Sequence, residues 1–164
     1  MMRCGSMKVA ILTVSDRSAR GERPDLSGPA LVEAAEKRGW TVVSLQVVAD
    51  ERRLVETGLR RLVAGREVDV ILTTGGTGIG PRDVTPEATE AVIEKRLPGL
   101  AEAMRARSLE ITPHAMLSRA VAGVAGACVI VNLPGSPKGA VECFEVAAPA
   151  LPHAIELLHG TANE

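Results

Sequence analysis

The strands of this chain announce themselves as continuous apolar runs. Val9-Ala10-Ile11-Leu12 lies within a segment from Lys8 to Val14 that is apolar on both faces of an extended chain. A strand of that kind suits a parallel sheet covered by helices on both sides. Thr41 to Val48 is β-branched and predicts a second strand, and Val68 to Thr74 a third. Between them the period changes. Leu26 to Arg38 reads as a helix, with Ser27 as its N-cap and Gly39 as its stop. Arg52 to Ala64 places Leu54, Val55, Leu59, Leu62 and Val63 at helical spacing and ends at Gly65.

This β-α-β-α-β order is the mark of an α/β domain, whose crossovers are right-handed. Pro86 to Arg96 predicts a helix with Thr85 as N-cap and proline at its first position, where the missing N–H costs nothing. Leu100 to Glu110 predicts another. Arg119 to Val124 and Ala127 to Val131 are short strands around Gly126, forming a hairpin. Pro137 to Leu151 and Ile155 to His159 close the chain as helices. The expectation is a three-layer α/β domain, with a mostly parallel sheet, a short antiparallel hairpin and helices on both faces. Residues 1–7 read as a short flexible leader, 8–160 as one domain and 161–164 as a tail. No internal repeat or long linker divides the chain.

Composition narrows the class. A chain of 164 residues can bury roughly 70% of its unfolded surface without staples. A net charge of −1 gives no basic field for nucleic acid or an anionic membrane. No apolar run approaches the ~20 residues of a membrane span. Met1 to Met7 lacks the apolar core of a signal peptide. Cys4, Cys128 and Cys143 are far apart and form neither a zinc motif nor a disulfide framework, which points to the cytoplasm. With only Trp40 and Phe144 as aromatics, there is no stacking platform for single-stranded nucleic acid.

The candidate chemistry lies in polar loops that follow apolar strands. Thr73-Thr74-Gly75-Gly76-Thr77-Gly78-Ile79-Gly80-Pro81-Arg82-Asp83 begins where the third strand ends. Its glycines let backbone N–H groups approach an anion, its hydroxyls add donors, and Arg82 offers a planar fork to phosphate. A tight turn leading into a capped helix would also explain the glycines. Walker A chemistry is excluded, because Gly80 is followed by Pro81 and Arg82 in place of Gly-Lys-Ser/Thr. A dinucleotide fingerprint would follow the first strand, which this loop does not.

Asn132-Leu133-Pro134-Gly135-Ser136-Pro137-Lys138-Gly139 makes a second strand-to-helix loop. Ser136 is placed to cap, and Lys138 sits in the first turn, where the helix dipole disfavours a cation unless an anion is near. Thr13-Val14-Ser15-Asp16-Arg17, with Arg20, Arg23, Asp25 and Ser27 behind it, is a third polar loop. Taken alone it reads as a solvated surface segment. In an open α/β sheet, however, all three should meet beyond the carboxyl ends of the strands, where ligands bind. Asp50 ends the second strand on the same edge as Asp83. Asp50 could cap the next helix; together the two carboxylates would also suit Mg²⁺ held with substrate phosphates.

The runs from Thr13 to Arg17, Thr73 to Gly78, Arg82 to Ala88 and Asn132 to Gly139 resemble the MoaB/Mog family of molybdenum-cofactor biosynthesis, whose fold recurs in the G domain of gephyrin-type proteins. The resemblance spans Lys8 to Gly160, and the shortness of the chain favours the MoaB branch. It implies a molybdopterin-binding fold that adenylylates molybdopterin with MgATP and releases pyrophosphate; the alternative is a non-catalytic carrier of the pterin. It implies that Asp50 and Asp83 are the functional aspartates, serving Mg²⁺ and substrate orientation. It also implies that Gly75, Gly76, Thr77 and Gly78, with Pro134, Gly135, Ser136 and Lys138, contribute to nucleotide and pterin binding. The expected partners are molybdopterin and ATP, with no nucleic acid or membrane, in a homotrimer or a dimer of trimers.

Overall fold

A computed structural model describes residues 5–162. Cys4 and parts of the expected leader and tail lie outside the described residues. The strands are β1 (Lys8–Val14), β2 (Thr41–Val48), β3 (Val70–Thr74), β4 (Lys95–Arg96), β5 (Ala122–Ala125) and β6 (Cys128–Leu133). They form one six-stranded sheet in the order β2-β1-β3-β6-β5-β4. The pairs β1–β2, β1–β3 and β3–β6 are parallel, whereas β5 runs antiparallel to both β6 and β4. The helices are α1 (Asp16–Ala19), α2 (Ser27–Lys37), α3 (Arg52–Ala64), α4 (Thr85–Val92), α5 (Pro98–Leu109), α6 (Pro137–Ala147) and α7 (Leu151–Leu158).

The uninterrupted apolar runs have a direct explanation. Side chains alternate across a strand, and both faces of the central strands β1, β3 and β6 are covered, whereas Val43, Leu45 and Val47 on the edge strand β2 are exposed. Val9, Ile11, Val70, Leu72, Val129 and Val131 pack with Leu31 of α2 and with Phe144 and Leu151 from the C-terminal helices. Ala10, Leu12, Ile71 and Ile130 point the other way, onto Val55 and Leu59 of α3 and Ala88 of α4. Phe144 is fully buried, and the Trp40 ring meets its edge at 5.6 Å and 88°. Phe144→Ala should therefore cost about 3–5 kcal/mol, the usual range for emptying an aromatic core site. Urea unfolding of the two proteins checks this; a loss under about 1 kcal/mol would show that the site collapses around the cavity.

Several boundaries differ from the sequence pattern, each for a local reason. The predicted helix Pro86 to Arg96 stops at Val92, because Ile93 is extended and Glu94 N donates to Val124 O at 2.7 Å. Lys95 and Arg96 then join the sheet as an edge strand. Thr85 is not an N-cap: it is the first helical residue, and its hydroxyl donates to Gly75 O at 2.9 Å. Nor does Ser27 cap α2; the Asp25 carboxylate accepts from Gly28 N at 3.0 Å in its place. The predicted helix Pro137 to Leu151 breaks after Ala147 into a 3₁₀ turn, Ala148–Ala150, since Pro149 has no N–H to continue the ladder. The loop after β1 contains the short helix α1, whose Ser15 cap accepts from Ser18 N at 3.2 Å.

Candidate functional site

Because β1, β2, β3 and β6 are parallel, their carboxyl ends share one edge of the sheet. The loops that leave this edge enclose a cleft of about 520 Å³. Thr13, Ser15 and Asp25 line it from the β1 side, Asp50 from the end of β2, and Thr74, Gly75, Gly76 and Asp83 from the loop after β3. Gly135 and Ser136 line it from the loop after β6. The loops are stitched together. Thr74 Oγ1 donates to Pro134 O at 2.7 Å, and Gly75 N to Leu133 O at 3.1 Å. Thr13 Oγ1 donates to the Asp25 carboxylate at 2.8 Å. These hydroxyls and the Gly75 amide thus hold the walls of the cleft together.

The remaining predicted residues fall elsewhere. Thr77, Gly78 and Pro134 line a smaller neighbouring pocket of about 300 Å³, whose other walls include Met104, Ala115, Ala120 and Cys143. Ser136 borders both spaces. Arg82 forks onto the Asp16 carboxylate through two bonds of 3.0 Å, and neither residue lines the cleft. Arg17 is exposed and also does not line it. Lys138 points into solvent at 85% side-chain exposure, with its ammonium 3.9 Å from Glu142. The cation that does line the cleft is Arg23, which makes no ion pair among the described residues. It stands in the charged run after β1, where no local pattern separates it from Arg17 and Arg20.

The aspartates are held in fixed positions. Asp16 N donates to Asp50 Oδ2 at 2.8 Å, and Asp50 N returns a bond to Asp16 Oδ1 at 3.0 Å. The Arg82 guanidinium keeps the Asp16 carboxyl below its ordinary range. Burial pushes the Asp50 carboxyl up, and the charges of Asp16 and Asp83 push the same way. Asp50 Oδ1 faces Gly76, where a Cβ atom would stand 3.2 Å from it. Asp83 Oδ2 accepts from Gly80 N at 2.9 Å. Asp50 Oδ1 and Asp83 Oδ1 are bonded to no donor among the described residues.

Gly75 and Gly76 have φ of +102° and +68°, in the region that favours glycine. A side chain on Gly76 would also overlap the Thr85 hydroxyl. Gly76→Val should therefore lower thermal stability, by about 1–3 kcal/mol of backbone strain, as well as ligand affinity. A melting curve identical to wild type would show that the loop relaxes around the side chain.

Residues 10–153 match the model of a family described as "Probable molybdopterin binding domain". This chain belongs to that family. The matched span of the molybdopterin-binding domain contains each of the cleft-forming loops. The chain is 42% identical over 157 residues to a molybdopterin adenylyltransferase of Helicobacter pylori, covering 94% of this chain and 89% of the relative. It is 36% identical to the molybdopterin adenylyltransferase of Escherichia coli, covering 94% and 87%. In structure it is similar to the molybdopterin biosynthesis enzyme MoaB of Thermus thermophilus, with a TM-score of 0.86, 50% identity and coverage of 94% and 97%. The three-layer molybdopterin-binding fold, with a mostly parallel sheet and helices on both faces, is the one expected from the sequence, and β4 adds a strand beyond that expectation.

Proposed function

We propose that this domain adenylylates molybdopterin with MgATP, releasing pyrophosphate, in molybdenum-cofactor biosynthesis. The observation that carries this reading is the pair of adjoining pockets that meet at Ser136: a polar cleft holding Asp50 and Asp83, beside a smaller, largely apolar space. Two ligands must lie side by side for a group to pass between them, and the relatives named as molybdopterin adenylyltransferases supply the two.

The attacking atom is an oxygen of the pterin's phosphate. It is already anionic, so no general base is needed. Catalysis is then positioning and charge neutralisation. The amides of Gly76, Thr77 and Gly78 donate to no acceptor among the described residues and are available to phosphate oxygens. The N-terminus of α6, capped by Ser136 through Gly139 N at 3.1 Å, adds the positive end of a helix dipole. Arg23 supplies a full positive charge at the mouth of the cleft.

Mg²⁺ fits this donor set. Asp50 and Asp83 each keep one oxygen clear, and no cluster of three His, Cys, Asp or Glu side chains builds a protein-only metal cage among the described residues. Two carboxylates supplemented by phosphates and water are what Mg²⁺ prefers. When bound there, it would neutralise charge on the ATP phosphates as the adenylyl group passes to the pterin's phosphate and pyrophosphate leaves. Asp50 and Asp83 would hold it and orient the nucleotide.

No helix among the described residues is long and apolar enough to cross a membrane. The proposed setting is the cytoplasm, and the proposed assembly is a homotrimer or a dimer of trimers. Exposed Leu109, Ile111, Met116 and Leu117 beside the smaller pocket support association. Light scattering should give three or six times 17.2 kDa, and a monomer would overturn the assembly. The decisive assay is pyrophosphate release from MgATP on addition of molybdopterin. Binding of both ligands without release would assign the domain as a carrier.

A further inference from the structure

Arg119 lies just before β5 and lines neither the cleft nor the smaller pocket. Its side chain reaches back across the glycine-rich loop. Nε donates to Gly78 O at 2.7 Å, Nη2 to Asp83 O at 2.8 Å, and Nη1 to the Glu87 carboxylate. Its own backbone N donates to Thr77 O at 2.9 Å. One residue therefore binds both arms of the loop and the first turn of α4 to the sheet.

Its neighbours give the arrangement a direction. Ser118 and Ala120, on either side of Arg119, line the smaller pocket, as do Thr77 and Gly78. Asp83, at the far end of the same guanidinium, lines the cleft. Gly78 and Gly80 carry no side chains to anchor the loop tip, and the Asp83 carboxylate occupies the space a Cβ would take on either. Within the loop Asp83 bonds only to Gly80, and Arg119 supplies the bonds that tie this turn to the rest of the fold. The Glu87 carboxylate depends on the same contact: its Oε2 is buried with no partner among the described residues. A planar guanidinium can serve three acceptors at once in a fixed fork, which an ammonium on a flexible stem cannot.

We propose that Arg119 is the positioning residue for Asp83, holding the loop of residues 76–83 so that the cleft aspartate stays in register with the smaller pocket. This rests on the reading of Asp83 as a catalytic group, and it goes beyond that reading by assigning the group that places it. Arg119 touches no ligand itself.

The test compares Arg119→Met and Arg119→Lys with wild type and Asp83→Asn. Three measurements are made: pyrophosphate release, its dependence on Mg²⁺ concentration, and hydrogen exchange of the backbone amides. Arg119→Met should lose roughly hundredfold in kcat, the scale of a 1 Å misplacement, and should need more Mg²⁺ for half-maximal rate. The amides of Gly80, Asp83, Thr85 and Arg119, each hydrogen-bonded to the loop in wild type, should exchange faster while those of β3 and β6 keep their protection. Arg119→Lys should fall between the two. A folded Arg119→Met with wild-type kcat and Mg²⁺ dependence overturns the proposal, as does a loss of rate with unchanged exchange in the loop. If Arg119→Met does not fold, Arg119→Lys decides, and wild-type behaviour there also overturns it. An active Asp83→Asn would sink the catalytic reading of Asp83 alone, because the exchange data still report whether Arg119 holds the loop.

Discussion

Asp83→Asn should reduce pyrophosphate release by roughly 10²–10³-fold, or about 3–4 kcal/mol in the barrier, the scale of losing one preorganised electrostatic group. Stability should hardly change. Asparagine is isosteric, and its side-chain oxygen can still accept the Gly80 amide that Asp83 Oδ2 accepts at 2.9 Å. The loop keeps its turn while the charge facing the cleft disappears. Rate measurements with saturating ATP, paired with thermal melts, check both halves. A variant that releases pyrophosphate at the normal rate would remove Asp83 from the catalytic centre.

Asp50→Asn should abolish turnover on a similar scale but shift stability in the opposite sense from most substitutions. Burial raises the Asp50 carboxyl above its ordinary range, with Asp16 and Asp83 adding repulsion. The native state therefore holds the Asp50 proton to higher pH than the unfolded chain does. Stability is lost as pH rises from the unfolded value, about 3.9, through the native one, and at neutral pH the ionised carboxylate is a destabilising group. Asparagine removes that charge and can still accept the 2.8 Å bond from Asp16 N. The ligand-free variant should accordingly melt above wild type at pH 7. The difference should shrink on acidification below the unfolded value, where both side chains are neutral. A variant less stable than wild type at pH 7 would mean that the carboxylate is compensated in the native state.

The strands were legible because burial on both faces writes itself into consecutive residues, as in Val9-Ala10-Ile11-Leu12. The loops of the cleft were legible because parallel topology brings every strand-to-helix connection to one edge. The missed features depend on partners distant in sequence. Lys95 and Arg96 are polar, and only pairing with Val124 and Gly123 makes them a strand. Arg82 has the chemistry of a phosphate ligand, but Asp16, 66 residues away, takes both arms of its fork. The three acceptors of Arg119 lie 32–41 residues back, and two of them are backbone carbonyls, which no side-chain pattern reveals.

The stitching of the cleft also fixes when it can come into being. Thr74 and Gly75 are tied to Pro134 and Leu133 across about 60 residues of chain. During synthesis, β1, β2 and β3 emerge with their loops well before β6 exists to dock against β3. Until that late strand arrives, the Thr74 hydroxyl and the Gly75 amide have no acceptors, and the wall contributed by Gly135 and Ser136 is missing. The nascent chain can therefore carry both aspartates and most of the glycines without presenting a nucleotide site. Closing so long a loop is an entropic cost met only when β6 locks into the sheet, which makes competence to bind a property of the finished chain.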